Sequence, residues 1–245
     1  MYYCAIEIKN QTATFRNPEF QNFHKSFELP PPTTLIGLVG AALGLSPKSA
    51  QLYCKGSILQ IGVYGRNLGY TKDLWKYRTL EDKNPTSILK KEILFDNHFV
   101  VVFGSDDKTK MIELEQAFLN PIYALSMGNS DSLAKVVSTK QISETQQKKV
   151  ISHCLVAGDI VGEVLKNAGN GLSFSMYSTS EPITYDLPIQ FNYASDYGMR
   201  NVTKRQTLSF IGEPFELNIN KEGVIYQPKD EILSEVFIPV FPINF

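Results

Sequence analysis

Long apolar runs are missing from this 245-residue sequence. Even the stretch 35–45 carries Gly37, Gly40 and Gly44 and stops at Ser46-Pro47, short of the ~18 or more uninterrupted apolar residues that a membrane helix needs. The opening Met1-Tyr2-Tyr3-Cys4 has neither the basic segment nor the apolar core of a secretory leader and reads as the start of a strand. A cytoplasmic protein without a membrane partner is expected. Cysteine is scarce: Cys4, Cys54 and Cys154 stand far apart, form no CxxC pair and leave one over, so buried, reduced thiols are expected. His24, His98 and His153 are isolated as well, and no Cys/His cluster has the local spacing of a zinc site. No metal and no cofactor is expected. Excess charge is also lacking, because 24 Lys and Arg against 25 Asp and Glu leave a formal net charge of −1. Nucleic-acid binders usually show a basic excess or a basic face, so any such site here has to be a local patch.

What the chain does have is 43% apolar and 11% aromatic residues, the composition of a globular protein with a sizeable core. Tyr2, Cys4, Ile6 and Ile8 alternate with Tyr3, Ala5, Glu7 and Lys9, the period of a half-buried strand, and residues 12–15 extend it. Asn17-Pro18 opens an aromatic, polar loop that ends at Pro30-Pro31-Pro32, an extended approach to a helix. Thr33 and Thr34 are suitable N-caps, and Leu35, Leu38, Val39, Ala42 and Leu43 share one apolar face. Each glycine in that helix costs up to ~1 kcal/mol against alanine. Either close packing requires the three of them, or they let another backbone, such as an RNA phosphate, approach the helix and its N-terminal NH groups.

Further strands are expected at 58–64 and 93–103, a second helix at 109–119, and a fourth strand at 122–125 followed by a turn at 128–132. Between the second and third strands lies the polar segment 65–91, unusually long for a connection without a task. The order strand, helix, strand, strand, helix, strand is the ferredoxin-like (RRM-like) arrangement of an α+β protein. Residues 1–138 are assigned to that domain and 139–245 to a smaller, mostly β C-terminal region, with strands near 151–165 and 172–178 and a polar stretch at 195–206.

Phe15-Arg16-Asn17-Pro18 and the block from Leu29-Pro30-Pro31-Pro32-Thr33-Thr34 to Leu43-Gly44 resemble the N-terminal signature of CRISPR-associated protein family five, a branch of the RAMP proteins. The segment Pro121-Ile122-Tyr123-Ala124-Leu125-Ser126-Met127-Gly128-Asn129-Ser130 is similar to that family's second recurring element. The resemblance covers the ferredoxin-like half, and the remainder only in general layout. It implies a subunit of the type I surveillance complex Cascade, nearest to subtype I-B, capping the 5′ handle of the CRISPR RNA in antiviral defence. It also implies contacts with the backbone and large subunits, possible proximity to the processing endoribonuclease, and only an indirect link to target DNA. A thumb-like hairpin that holds a kinked or flipped nucleotide is implied where residues 65–91 lie.

Single-stranded RNA is held by cations on phosphates and by flat side chains on bases. Arg16, His24 and Lys25 lie among Phe15, Phe20 and Phe23 in the loop before the first helix, while Thr33, Thr34 and Gly37 offer hydroxyl and backbone donors. In the arm, Lys72 precedes Trp75, Lys76, Tyr77 and Arg78, whose rings and cations fall on opposite faces if the segment is extended. Those residues suit RNA stacking or a protein contact equally. Met127, Gly128, Asn129 and Ser130 form either an RNA-facing turn or an ordinary one, and Arg200, Lys204 and Arg205 form either a second basic site or a solvated loop. Two alternatives stand beside RNA capping. A metal-independent endoribonuclease would use His98 with Lys90, Lys91 or Tyr64, whereas His24 sits in a loop without a neighbouring base. A pure protein scaffold would not depend on Arg16.

Overall fold

The computed structural model describes residues 1–20, 23–78, 86–160, 162, 182–229 and 235–243. The N-terminal part comprises β1 (Tyr2–Ala13), three two-residue strands β2 (Phe15–Arg16), β3 (Phe23–His24) and β4 (Ser26–Phe27), and helices α1 (Pro32–Leu43) and α2 (Pro47–Ser57). Then come β5 (Gln60–Arg66), β6 (Gly69–Arg78), the twenty-residue β7 (Thr86–Ser105), α3 (Lys108–Leu119) and β8 (Lys135–Ile142). The C-terminal strands are β9 (Gln146–Ile151), β10 (Cys154–Ala157), β11 (Ile183–Tyr193), β12 (Arg200–Ile211), β13 (Phe215–Tyr226) and β14 (Val236–Pro242). The result is a mixed α and β protein built mostly on antiparallel sheet.

Strand β1 lies between β7 and β8, and β5 pairs the far edge of β7, so the spatial order is β8-β1-β7-β5 with every neighbour antiparallel. One face of these strands packs under the helices: Cys4, Ile6, Ile8, Val63, Phe99, Val101 and Phe103 meet Leu35, Leu38, Val39, Met111, Leu114 and Phe118. The other face is covered as well. Tyr3, Ala5, Tyr64, Val100 and Val102 pack with Val224, Tyr226, Ile238 and Val240 from β13 and β14. The alternation in β1 suggested a half-buried strand, but its interior is buried on both sides because the C-terminal strands fold back over it. They reach it through β5, which pairs with β14 and β10, while β10 pairs with β12.

Several expectations need correction. Helix α1 starts at Pro32, with Pro31 as N-cap and no side-chain cap, so Thr33 and Thr34 are helical residues rather than caps. Proline suits this first position because its fixed φ matches the helix and its missing N–H has no partner there anyway. Helix α2 was not expected. Its signal is Ser46, which accepts a hydrogen bond from the Ser49 N–H at 3.2 Å ahead of Pro47. Residues 122–125 are not a strand. The N–H groups of Ile122 and Tyr123 donate to Ala42 and Ala41 at the end of α1, and the fourth strand beside β1 is β8. Within the polar stretch 195–206, residues 200–206 are the start of β12, paired with β11 in a hairpin. The strand expected at 172–178 lies outside the described residues. Among the described residues no helix is long and apolar enough to cross a membrane.

Candidate nucleic-acid interface

The three cysteines are free and buried, and burial pushes the Cys54 thiol up to about 12 and those of Cys4 and Cys154 higher still. They are inert core groups, so chemistry has to be sought elsewhere. The polar segment 65–91 supplies the first part of it. Strands β6 and β7 form an antiparallel hairpin from Gly69↔Phe95 out to Arg78↔Thr86, and nearly all of β6 is exposed. Because the strand is extended, Trp75 and Tyr77 share one face with Leu89 and Lys91, while Lys72, Lys76 and Arg78 occupy the other. On the first face the Lys91 ammonium stands 4.6 Å from the centre of the Trp75 ring.

That face closes one side of a cavity of about 550 Å³. Its floor is the first turns of α1, presenting Thr33, Thr34 and Gly37 beside Pro31. Arg16 and His24 enter from the loop, held there by β2 pairing β4 and by β3 running parallel to β7, which sets His24 opposite Lys91. Gly128 and Asn129 form a third wall, pinned where the Thr14 N–H donates to the Met127 carbonyl at 3.1 Å. Arg200 arrives from β12, its guanidinium 4.3 Å from the Phe191 ring centre. The described lining thus holds three cations, Arg16, Lys91 and Arg200, two aromatic rings, Phe15 and Trp75, one imidazole and no carboxylate. Burial and then the neighbouring cations Arg16 and Lys91 push the His24 pKa down, so it stands as a neutral ring at neutral pH rather than a cation. Burial also lowers the Lys91 pKa, with Asp131 and Asp73 pulling it partly back.

Nine of the residues singled out from the sequence therefore meet in one cavity: Arg16, His24, Thr33, Thr34, Gly37, Trp75, Gly128, Asn129 and Arg200. The others lie elsewhere. Lys25 and Lys72 sit over Phe20 and Phe23, at 5.5 and 5.7 Å from the ring centres, beside a separate cavity on the far side of the hairpin. Lys76, Tyr77 and Arg78 are exposed further out on β6, and Ser130 is an exposed turn residue. Met127 is fully buried, and its N–H donates to the Ser132 carbonyl, so neither its side chain nor its amide faces the cavity. Arg205 donates to the Asp186 carbonyl, and Lys204 lies in the exposed first half of β12. Lys91 is the participant that sequence reasoning left off its RNA-contact set, although the pair Lys90-Lys91 marked the end of the polar segment. Its place opposite Trp75 follows from strand register, which no local pattern shows.

The residues weighed for catalysis are split. His98 Nε2 donates to the Glu7 carboxylate at 2.8 Å, and Tyr64 packs with Val100 and Val102, both on the sheet face turned away from α1. His24 and Lys91 are the two that share the cavity.

Solved structures resembling the chain include CRISPR-associated proteins. A chain of a "CRISPR RNA-guided surveillance complex" is 12% identical, with a TM-score of 0.49, over 88% of this chain and 90% of that one. A "CRISPR protein from Archaeoglobus fulgidus" is 14% identical, with a TM-score of 0.42, over 98% and 99%. A "Cas protein" is 18% identical, with a TM-score of 0.36, over 52% of this chain, which spans only 57% of that one. No curated protein matches the chain. The sequence itself matches the family described as CRISPR-associated protein (Cas_Cas5) over residues 5–203, from β1 into β12 and across every wall of the cavity. The chain belongs to that family.

Proposed function

We propose that this chain is the non-catalytic RNA-binding subunit of a type I CRISPR surveillance complex, of subtype I-B, that caps the 5′ handle of the CRISPR RNA. In this reading the order β8-β1-β7-β5 with its helices is a ferredoxin-like domain, the β6–β7 hairpin is its thumb, and the C-terminal strands form the smaller β region. The backbone and large subunits contact its outer surfaces in the cytoplasm.

The observation that carries the reading is the convergence of Arg16, Lys91 and Arg200 with the Trp75 ring around the uncapped start of α1. Three cations without a carboxylate attract phosphate, the Thr33 and Thr34 side chains at the helix start add hydroxyl donors, and a half-exposed indole offers a stacking face. The net charge of −1 does not oppose this, because the described lining of the cavity carries three cations and no carboxylate. Arg16→Ala and a Trp75/Tyr77 double alanine should each weaken retention of a handle-bearing RNA by at least ~1 kcal/mol, roughly fivefold. Titration in the presence of the backbone subunit measures this, and wild-type affinity in both variants would refute the site. Unchanged retention in Arg16→Ala alone is what a pure scaffold predicts.

One observation favours a second reading, a metal-independent endoribonuclease: neutral His24 beside Lys91 is a base next to a cationic acid. Against it, His98 is engaged by buried Glu7 on the opposite side of the sheet. Incubating the purified protein with repeat RNA and a chelator decides between them. No defined cleavage supports capping, whereas cleavage abolished by His24→Ala or His98→Ala establishes the nuclease.

A further inference from the structure

Trp75 and Lys91 use one face of the β6–β7 hairpin, and the other face has a character of its own. On β6 it presents Tyr70, Lys72, Leu74, Lys76 and Arg78, and on β7 Ile88 and Lys90. Leu74 lies opposite Lys90 and Lys76 opposite Ile88, so two aliphatic side chains form one diagonal of a square and two lysines the other. Tyr70, Leu74 and Ile88 are 63%, 66% and 68% exposed, and the cations among them are exposed as well. The one carboxylate on this face among the described residues is Glu92, which is buried and already accepts from the Ser26 N–H at 3.0 Å. A two-stranded ribbon is at best marginally stable by itself. This one also leaves large aliphatic groups in water.

At its base the same face runs into the separate cavity noted above, of about 500 Å³, which Tyr70, Lys72, Glu92 and Leu94 help to line. Its floor is the stacked pair Phe27 and Phe210, with ring centres 5.1 Å apart, and Tyr185 stands edge-on to both. Phe20 and Ile183 are exposed at its rim. Lys25 and Lys72 balance Glu28 and Glu92 in the lining, so the cavity suits an uncharged, apolar group, and its volume is that of a pocket able to enclose one. An exposed apolar patch rimmed by charge marks an interaction site. Single-stranded RNA would need rings along its path, whereas the ribbon beyond Tyr70 offers aliphatic groups between cations. A protein segment in which carboxylates are interspersed with apolar side chains matches both components.

Resting on the reading of this chain as a subunit of a larger complex, we infer that the outer face of the hairpin and the aromatic cavity at its base form one docking surface for an acidic segment of a partner protein. The carboxylates of that segment meet Lys76, Arg78 and Lys90, its apolar side chains cover Leu74 and Ile88, and one large apolar residue enters the cavity as the anchor. The hairpin is thereby braced from outside, while its inner face remains with the RNA.

The test places the photo-cross-linker benzoylphenylalanine at position 70, where it replaces one aromatic side chain by another, in the full chain co-expressed with the backbone and large subunits. Mass spectrometry should map the cross-link to a protein segment of net negative charge. Leu74→Ser/Ile88→Ser should lower the affinity for that partner roughly tenfold, and Lys76→Gln/Lys90→Gln should flatten the dependence of that affinity on salt. RNA affinity, titrated as above, should be unchanged in Leu74→Ser/Ile88→Ser, whose folding thermal unfolding checks. A cross-link to RNA, to a second copy of this chain or to a segment without net negative charge overturns the docking surface, as does an assembled complex that gives no cross-link. The RNA-binding reading stands in each of those cases. If the wild-type chain neither holds RNA nor assembles with those subunits, both are overturned.

Discussion

At the scale of single residues, glycines near the site are there for different reasons, and substitutions separate them. A Cβ at Gly40 would stand 2.8 Å from the Ala50 Cβ, so close approach of α1 to α2 requires it. Gly44 ends the helix at φ +71, where a side chain is strained whatever the space. Gly128 is the extreme case, with φ +97 and an added Cβ 1.7 Å from the Thr14 carbonyl oxygen. Gly128→Ala should therefore lower stability by at least about 2 kcal/mol. Gly37 has neither reason. Gly37→Ala adds a helix-favouring methyl into open space, so it should raise stability by up to ~1 kcal/mol, a shift of roughly 2–4 °C in Tm for a chain of this size. The same methyl intrudes on the floor of the larger cavity, so RNA affinity should fall several-fold. Thermal unfolding and RNA titration of the one variant check both signs together. A more stable protein that binds RNA as well as the parent would remove Gly37 from the site.

At the scale of elements, the β6–β7 hairpin brings together what local sequence keeps apart. Lys91 sits only 5% exposed, its stem covered and its ammonium over Trp75, so Lys91→Met keeps the packing of the stem and removes the charge. Folding should be nearly unchanged, while the dependence of RNA affinity on salt should flatten by about one phosphate contact. Trp75 is the sole tryptophan in the sequence, so its emission reports the same titration from inside the site. An unaltered salt slope would mean that Lys91 meets no phosphate. Much of this part of the fold was legible in the residues. Alternation announced β1 and β5, β-branched and aromatic content announced the inner half of β7, the spacing of Met111, Leu114 and Phe118 announced α3, and the family resemblance implied a hairpin in the polar segment 65–91. Three things were hidden. Helix α2 is polar along most of its length and buries only Ala50, Gln51 and Cys54. Apolar residues 122–125 imitate a strand but are strapped to the end of α1, while the true fourth strand, β8, reads as Lys- and Gln-bearing surface. The meeting of Lys91 with Trp75, and of Arg200 with Phe191, depends on register between strands, and no short window of sequence carries register.

At the scale of the whole molecule, one buried carboxylate ties the ends of the chain together. Glu7 of β1 is fully buried on the face covered by the C-terminal strands. Its Oε1 is 2.8 Å from His98 Nε2 on β7, and its Oε2 accepts from the Ser138 hydroxyl on β8 at 2.7 Å, the Tyr226 hydroxyl on β13 at 3.0 Å and the Lys229 N–H at 3.1 Å. Burial alone pushes the Glu7 pKa up, but the hydrogen bonds from Ser138, Lys229, Tyr226 and His98 outweigh it and hold the pKa below its ordinary value. A carboxyl whose pKa is lowered by folding stabilises the native state fully above its unfolded pKa, about 4.3, and loses that contribution as pH falls through the folded value. Replacing it by Gln leaves an amide that cannot accept at both oxygens and strands hydroxyl donors in a buried place, costing about 2–3 kcal/mol at neutral pH. Denaturant unfolding of wild type and Glu7→Gln, measured at pH 7 and again below pH 4, should show that difference narrow on acidification, because the wild-type carboxyl then takes up a proton while the amide cannot. A gap that stays constant with pH would show that Glu7 holds the two ends of the chain by shape rather than by charge. Because the cavity lies on the opposite face of the same strands, Glu7→Gln should leave RNA affinity intact wherever the protein remains folded, which separates the clamp from the binding surface.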